Sequence, residues 1–422
     1  MSVVKGLAIC LLIGLAAEGA SAQAARSPFS SFGIGDYYGN GMAHTQGMGN
    51  VGIANPQYWY MNNQNPALLT FNTLTVFSAG FIGERRTVKG DTTNESNGSG
   101  NLNYLSMAFP VKANKWTTAV GVMPYTNVNY QLTYPDQVPT TTDTVIFTEK
   151  GEGGLSQLYW SNGVAITPWL SLGLRLNYIF GSINKDYTSQ FLVPGQVLPY
   201  VTTLKERTHI SDFNASAGIS FHWDSLLNKN YRINLGFVFD SQTDMEASKQ
   251  VKIEKSYAGG TSISDTLSES RGTIFLPQVW GAGFAFSKGY RWTIAGDFAT
   301  AKYTEYRTFE GDTPQLTDAV HAALGGELTP DPGALSDYWK RMTYRMGVSY
   351  DRYPYVINGA EVRDIGINFG FSLPVSQISS LDLAFKLGQR GDLAKHGIEE
   401  TYFKFYLGVT FNDRWFIKRK FD

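Results

Sequence analysis

The chain has 422 residues, 35 Lys and Arg against 36 Asp and Glu, and a formal net charge of −1. That balance excludes a nucleic-acid binder working through a basic surface, and a single cysteine excludes a disulfide framework. What stands out is 44 Gly, 26 Phe, 24 Tyr and 9 Trp with only 17% charged residues, the composition of a large secreted β-protein or of an outer-membrane barrel.

In chain order, residues 1–22 read as a signal peptide. Met1–Lys5 carries one positive charge, GLAICLLIGLAAEGA is largely apolar, and Ala20-Ser21-Ala22 fits an A-x-A cleavage site. The exported chain is expected to begin at Gln23, leaving Cys10 behind and with it any thiol chemistry. No later apolar run is long enough for a membrane-spanning helix.

Residues 23–71 show no clear period. Gly33, Gly35, Gly39, Gly41, Gly47, Gly49 and Gly52 permit tight turns. Tyr37, Tyr38, Met42, Met48, Tyr58, Trp59 and Tyr60 are too many large side chains for a disordered tail. GIGDYYGNG has no apolar strand before it and no helix after it, so it is not read as a phosphate loop. The segment closes on WYMNNQNPALLTF, Trp59 to Phe71, where Asn side chains satisfy turning backbone and Pro66 fixes a backbone angle.

From residue 72 strict alternation takes over. Leu170, Leu172, Leu174, Leu176, Tyr178 and Phe180 face away from Ser171, Gly173, Arg175, Asn177 and Gly181. Ile365, Ile367, Phe369 and Phe371 oppose Asp364, Gly366, Asn368 and Ser372, and Phe403, Phe405, Leu407 and Val409 oppose Tyr402, Lys404 and Tyr406. A soluble sandwich also alternates, but its strands are mostly five or six residues. Many strands here reach ten or more, as a tilted bilayer crossing requires.

Strands are expected at 72–86, 101–111, 116–131, 155–166, 169–186, 209–222, 230–246, 273–286, 291–307, 341–352, 362–373, 380–389 and 399–411. A weaker pattern in LTDAVHAALGGEL, with Leu316, Val320, Ala322, Leu324 and Leu328 on one parity, brings an odd thirteen to the even fourteen of a single-chain barrel. Most alternate connections are short. Those between them, 87–100, 132–154, 187–208 and 247–272, are long and polar and are expected as external loops. Trp116, Trp169, Trp223, Trp280, Trp292 and Trp339 are expected as a girdle on the short-turn side.

The fold class is therefore all-β: a transmembrane antiparallel β-barrel of about fourteen strands (72–422), with residues 23–71 as a hatch plugging the lumen. Arg175, Arg345, Asp364, Asp382, Lys386 and Lys404 carry both signs on the inward parity, and are expected to pair with one another and hold the hatch. His44, His209, His222, His321 and His396 are scattered without metal-ligand spacing, and no nucleophile motif stands out. Neither a metal, a cofactor nor an enzyme activity is indicated. Pro124, in GVMPYTNVNY of the third strand, cannot donate a ladder hydrogen bond and should mark a bulge or break. At the C-terminus, Arg414, Lys418, Arg419 and Lys420 form either a solvated end or a tail that docks a partner.

Asn65-Pro66-Ala67 before the first strand, the segment FGIGDYYGNGMAHTQGMGNVGIANPQYWYMNNQNPALL, LGGEL at Leu324–Leu328 and TYRMGVSYDRYPY at Thr343–Tyr355 resemble the FadL/TodX family of outer-membrane transporters. The likeness covers most of the exported chain in architecture and a few short motifs in residues. It implies a fourteen-stranded barrel with an N-terminal hatch that passes hydrophobic compounds such as long-chain fatty acids. It also implies a kinked third strand that opens the wall sideways to lipid, which places a lateral exit near Pro124. Some relatives, PorV among them, serve secretion machinery instead, with another outer-membrane protein or a lipoprotein as partner. Either role needs outer-membrane lipid around it and no nucleic acid.

Overall fold

A computed structural model describes residues 25–90, 93–137, 144–192, 200–225, 230–257, 262–312, 314–334, 336–376 and 378–413. The expected signal peptide, its cleavage site and the basic C-terminal tail lie outside the described residues.

The wall consists of fourteen antiparallel strands, each hydrogen-bonded to its neighbours in sequence. They are β1 (Thr75–Gly90), β2 (Asn94–Lys112), β3 (Trp116–Gln137), β4 (Thr144–Thr167), β5 (Leu170–Leu192) and β6 (Tyr200–Ser225). Next come β7, interrupted between Tyr231–Asp240 and Thr243–Tyr257, and β8, interrupted between Ile263–Leu276 and Val279–Lys288. The circuit continues with β9 (Trp292–Ala301), β10 (Ala319–Leu328), β11 (Thr343–Ile357), β12 (Ala360–Pro374), β13 (Ser380–Asp392) and β14 (Ile398–Asp413). Antiparallel pairing of β14 with β1, from Ile398–Gly90 to Asp413–Thr75, closes the cylinder. Closure leaves no strand edge to be solvated at membrane depth, which hydrocarbon would penalise by several kcal/mol per backbone group.

The alternation reads as anticipated. Leu172, Leu174, Leu176, Ile365 and Ile367 are exposed on the outer wall, while Ser171, Arg175, Asn177, Asp364 and Asn368 are buried inside. On β5 the apolar outer face runs from Leu170 to Phe180, roughly 25 Å of membrane at 3.3 Å per residue and a tilt near 40°. The weak strand is present as β10, paired with β9 and β11.

Two expectations are corrected. The segments expected as long polar loops are largely strand. β3 to β8 continue past the apolar band as paired hairpins, with β3–β4 in register out to Gln137–Thr144 and β5–β6 out to Gln190–Val201. The outer face of these hairpins meets water instead of lipid, so no bilayer imposes strict alternation and the sequence resembles loop. Conversely β9 stops at Ala301, short of 307. Residues 302–312 and 314–318 then fold over the mouth, where Tyr303, Tyr306, Phe309 and Leu316 join an apolar cluster with Ile34, Leu155, Ile179, Ile183, Ile210 and Met245.

The tryptophan girdle also needs one change. Trp116, Trp169, Trp223, Trp292 and Trp339 lie at or next to the short turns. Trp280 sits at the far end of Val279–Lys288, opposite Thr300, with its ring 4.5 Å from Phe239. It belongs to the other interface of the membrane.

Candidate functional site

The interior of the barrel is occupied by the chain's own N-terminal segment, and the wall is shaped to receive it. From Ala43 onward the segment follows the inside of the cylinder against the order of the strands. It passes Gly408 of β14 at Ala43, Gly370 of β12 at Gly47, and Gly347 and Gly325 of β11 and β10 at Met48. It then passes Gly283 and Gly236 of β8 and β7 at Ile53, Gly218 of β6 at Asn65, Gly173 of β5 at Pro66 and Ala67, and Gly163 of β4 at Pro66 and Leu69. At most of these glycines an added Cβ would fall well inside 3.0 Å of plug backbone or of a plug side chain. All these wall glycines stand a few residues in from the short-turn ends of their strands, so they form one belt. On β9, where no glycine faces the plug, Asp297 accepts from the backbone N–H groups of Gly52 (2.6 Å) and Ile53 (2.9 Å). Gly49 meets the Val348 backbone at φ +80°, a conformation that a side chain would strain.

Asn65, Pro66 and Ala67 form the last station of this ring. Asn65 is fully buried and caps the 3-10 turn Pro66–Phe71, its Oδ1 accepting from the Ala67 N–H at 3.0 Å. Its Nδ2 donates to the carbonyls of Ile53 (2.8 Å) and Ile219 (3.2 Å), so one amide ties the turn to an earlier stretch of plug and to β6. Asn65→Ala should lower stability by about 2 kcal/mol or more, since a cap costs ~1 kcal/mol and two buried carbonyls lose their donor. Thermal unfolding in detergent is the measurement, with Asn55→Ala as the comparison.

The polar residues anticipated on the inner wall are all inside. Arg175 turns to the plug, donating to the carbonyl of Asn63 at 2.6 Å and to Asn177 at 2.6 Å, over the ring of Tyr159. Arg345 and Asp382 meet through the hydroxyl of Ser372, and Arg345 also binds Glu327 at 3.0 Å. Asp364 accepts from the Tyr402 hydroxyl at 2.6 Å and lies 3.9 Å from the Lys386 ammonium. Lys404 lies over the Tyr402 ring. Mutual pairing therefore accounts for some of the six, and plug backbone or tyrosine for the others.

The densest charge cluster was not anticipated. Arg390 binds Glu400 (2.8 Å), Asp36 of the plug (2.9 Å) and Ser27, while Arg86 binds Glu400 and Glu84 (2.5 Å). Arg390 and Glu400 are almost completely buried. The available signal was parity, since Glu400 shares a face with Tyr402 and Lys404. Arg390 fell one residue past the expected end of its strand.

Around Pro124 the wall departs from a continuous sheet. β2 and β3 pair only from Leu105–Val122 to Lys112–Trp116, and beyond that they part. The register of β3 with β4 slips between Pro124 and Thr126, leaving Tyr125 as an extra residue. Gly153, Gly154 and Gly181 continue the irregularity into β4 and β5 at positive φ. The resulting slot is bridged by residues 26–38. Asp36–Tyr37 forms a short strand on Asn127 and Thr126, the Ser27 N–H donates to the Asn129 carbonyl at 2.8 Å, and the Tyr38 N–H to the Tyr125 carbonyl at 3.1 Å. On the opposite rim the Arg26 N–H donates to Asn97 at 2.7 Å and its guanidinium pairs with Glu95.

A closed fourteen-stranded wall with an internal N-terminal plug and a bulged third strand parted from the second defines an outer-membrane barrel of FadL architecture. Solved structures agree. The chain superposes on the Pseudomonas putida toluene transporter TodX with TM-score 0.59 at 15% identity, over 90% of this chain and 100% of that one. It superposes on the CymD monoaromatic hydrocarbon channel with TM-score 0.58 at 14%, over 90% and 99%. A Pseudomonas aeruginosa FadL homologue gives 0.58 at 11%, over 89% and 99%. Identities this low speak for the fold alone. No curated protein matches the chain in sequence. The sequence model of the BamG family matches residues 3–422, and the chain belongs to that family.

Proposed function

We propose that this barrel works in the outer membrane chiefly through its surfaces, as a fixed subunit that partners another outer-membrane protein or a lipoprotein in secretion or assembly. What supports this reading is a single segment that both seats on the glycine belt inside the barrel and bridges the slot in its wall. Along the axis, Met48, Val51, Ala54, Met61, Asn62 and Asn65 are buried within a plug ring seated on the glycine belt. Sideways, residues 26–38 bridge the slot from both rims. Such a barrel offers partners its paired hairpins on one side and, on the short-turn side, the exposed Tyr338 and Trp339. Native purification from membranes in mild detergent tests this. A stoichiometric outer-membrane protein or lipoprotein is the expected companion, and a chain that elutes alone at every detergent strength argues against it.

A second reading rests on the slot itself. An interruption at Pro124 gives an apolar molecule a route from the lumen into lipid without crossing water, and the solved relatives include hydrocarbon channels. On this reading hydrophobic small molecules, long-chain fatty acids among them, leave sideways once residues 26–38 shift. Tyr37 and Thr126 are direct cross-strand partners, a spacing that suits a disulfide. The Tyr37→Cys, Thr126→Cys variant in its oxidised form should abolish uptake of apolar ligands into proteoliposomes and regain it on reduction. Pro124→Val, which restores ladder pairing, should slow uptake. Uptake indifferent to both changes removes the lateral route and leaves the partner reading untouched.

A further inference from the structure

Beyond the apolar band, β5 to β8 present an outward face whose charge pattern neither reading explains. Cross-strand register lines up Ser182, His209, Ser248 and Arg271 in one row, and Asn184, Arg207, Gln250 and Glu269 in the next. Arg207, His209, Ser248 and Arg271 are exposed, whereas the alternate residues Ile210 and Ala247 turn inward. The residues of these rows on β6, β7 and β8, with Lys249 and Ser270 between them, line a shallow cleft of about 470 Å³. Below it, towards the membrane, the same strands carry the aromatic rim. Tyr178 packs on Phe180 and Phe213 at 5.6 and 5.0 Å, and Phe239 packs on Trp280 at 4.5 Å. His209 stands four residues above Phe213 on β6, roughly 10 Å above the hydrocarbon edge for a tilted strand. That is the depth of lipid headgroups, and arginine stems reach down towards it.

The charges are arranged to be available. Arg207 is oriented by Asn184, whose Oδ1 accepts from Nε at 2.9 Å, which leaves the two terminal nitrogens of the fork outward. Arg271 has no carboxylate partner among the described residues. The carboxylate of Glu269, which would otherwise meet Arg207, accepts from Gln250 at 2.5 Å. Two acids oppose an anion: Glu269, which lines the cleft itself, and Glu246, exposed on β7 one row closer to the membrane.

We infer that this cleft binds the phosphate-bearing headgroup of an outer-leaflet lipid, with Arg207 and Arg271 on the phosphate and the acyl chains against Phe213 and Trp280. Guanidinium groups suit phosphate because two parallel N–H donors match two oxygens. Position beside the aromatic rim selects an amphiphile over a free anion, because only a lipid satisfies rim and cleft together.

The test uses the folded full-length barrel in nanodiscs of phosphatidylcholine doped with phosphatidic acid. Native mass spectrometry then counts phosphatidic acid retained per barrel. Wild type should retain it selectively. The variant Arg207→Gln, Arg271→Gln should retain about tenfold less, the loss expected for two charge-assisted contacts. Glu246→Gln should retain more. Heat-dependent gel mobility confirms that each variant is folded, and phosphatidylcholine counts control for annular lipid. Equal retention by wild type and the double variant overturns the proposal. So does displacement of the lipid by millimolar inorganic phosphate, which would assign the cleft to a small anion.

Discussion

Gly325→Ala should destabilise the folded barrel severely, while Gly326→Ala, one residue further along β10, should leave it almost unchanged. The two positions share a strand, a local conformation and a neighbourhood in sequence. They differ in what lies beyond the backbone. A methyl group at Gly325 would overlap the carbonyl oxygen and carbon of Met48, and backbone held from both sides cannot swing away as a side-chain tip would. At Gly326 the nearest heavy atom is the Thr293 carbonyl oxygen at 3.4 Å. Overpacking of a filled interior typically costs about 1–3 kcal/mol and sometimes more. Gly173→Ala meets Pro66 and Ala67 in the same way. The double variant Gly173→Ala, Gly325→Ala strains two stations of the ring far enough apart for their costs to add. It should leave little folded protein, read as loss of the heat-modifiable band. Normal folding of that variant would mean that the plug is loosely held and the sealed-lumen reading fails.

Glu400→Ala should be the most damaging single change on the polar inner wall. It removes the carboxylate shared by Arg86 and Arg390 and leaves two buried guanidinium groups facing each other, with Glu84 and Asp36 as their remaining acids. Breaking a buried ion pair from one side costs about 3–5 kcal/mol, because the orphaned charge stays desolvated. Glu400→Gln keeps the shape and an acceptor oxygen, so it should cost clearly less. The readouts are the unfolding temperature in detergent and the rate at which trypsin cuts at Arg26. Arg390 holds Asp36 and Ser27, so a disturbed cluster should release the residues that bridge the slot. A Glu400→Ala protein as stable as wild type would show that water reaches this cluster.

Residues in contact with lipid were readable in advance, because a bilayer on one side enforces strict alternation. Leu172, Leu174, Ile365 and Ile367 had nowhere else to point. Even the weak β10 was recoverable, since closure demands an even number of strands. The paired hairpins above the membrane were missed for the complementary reason. With water in place of lipid on the outer face of TVIFTEKGEGG, nothing enforces strict alternation. The polar interior was partly legible: parity placed Arg175, Asp364 and Lys404 inside, but partnership depends on register across strands. Ser372 between Arg345 and Asp382, and Asp36 against Arg390, join residues distant in sequence. The glycine belt was invisible for the same reason, since Gly173 or Gly325 gains meaning only from the plug opposite.

The direction of the plug has a consequence for manufacture. Between Ala43 and Leu69 it visits β14, then β12, and so on down to β4, the reverse of the order in which those strands leave the translocation machinery. A stopper that reads the hoop backwards has no complete seat until every stave is present. The first segment to arrive is thus the last to gain all its contacts, once the seam of β14 on β1 has formed.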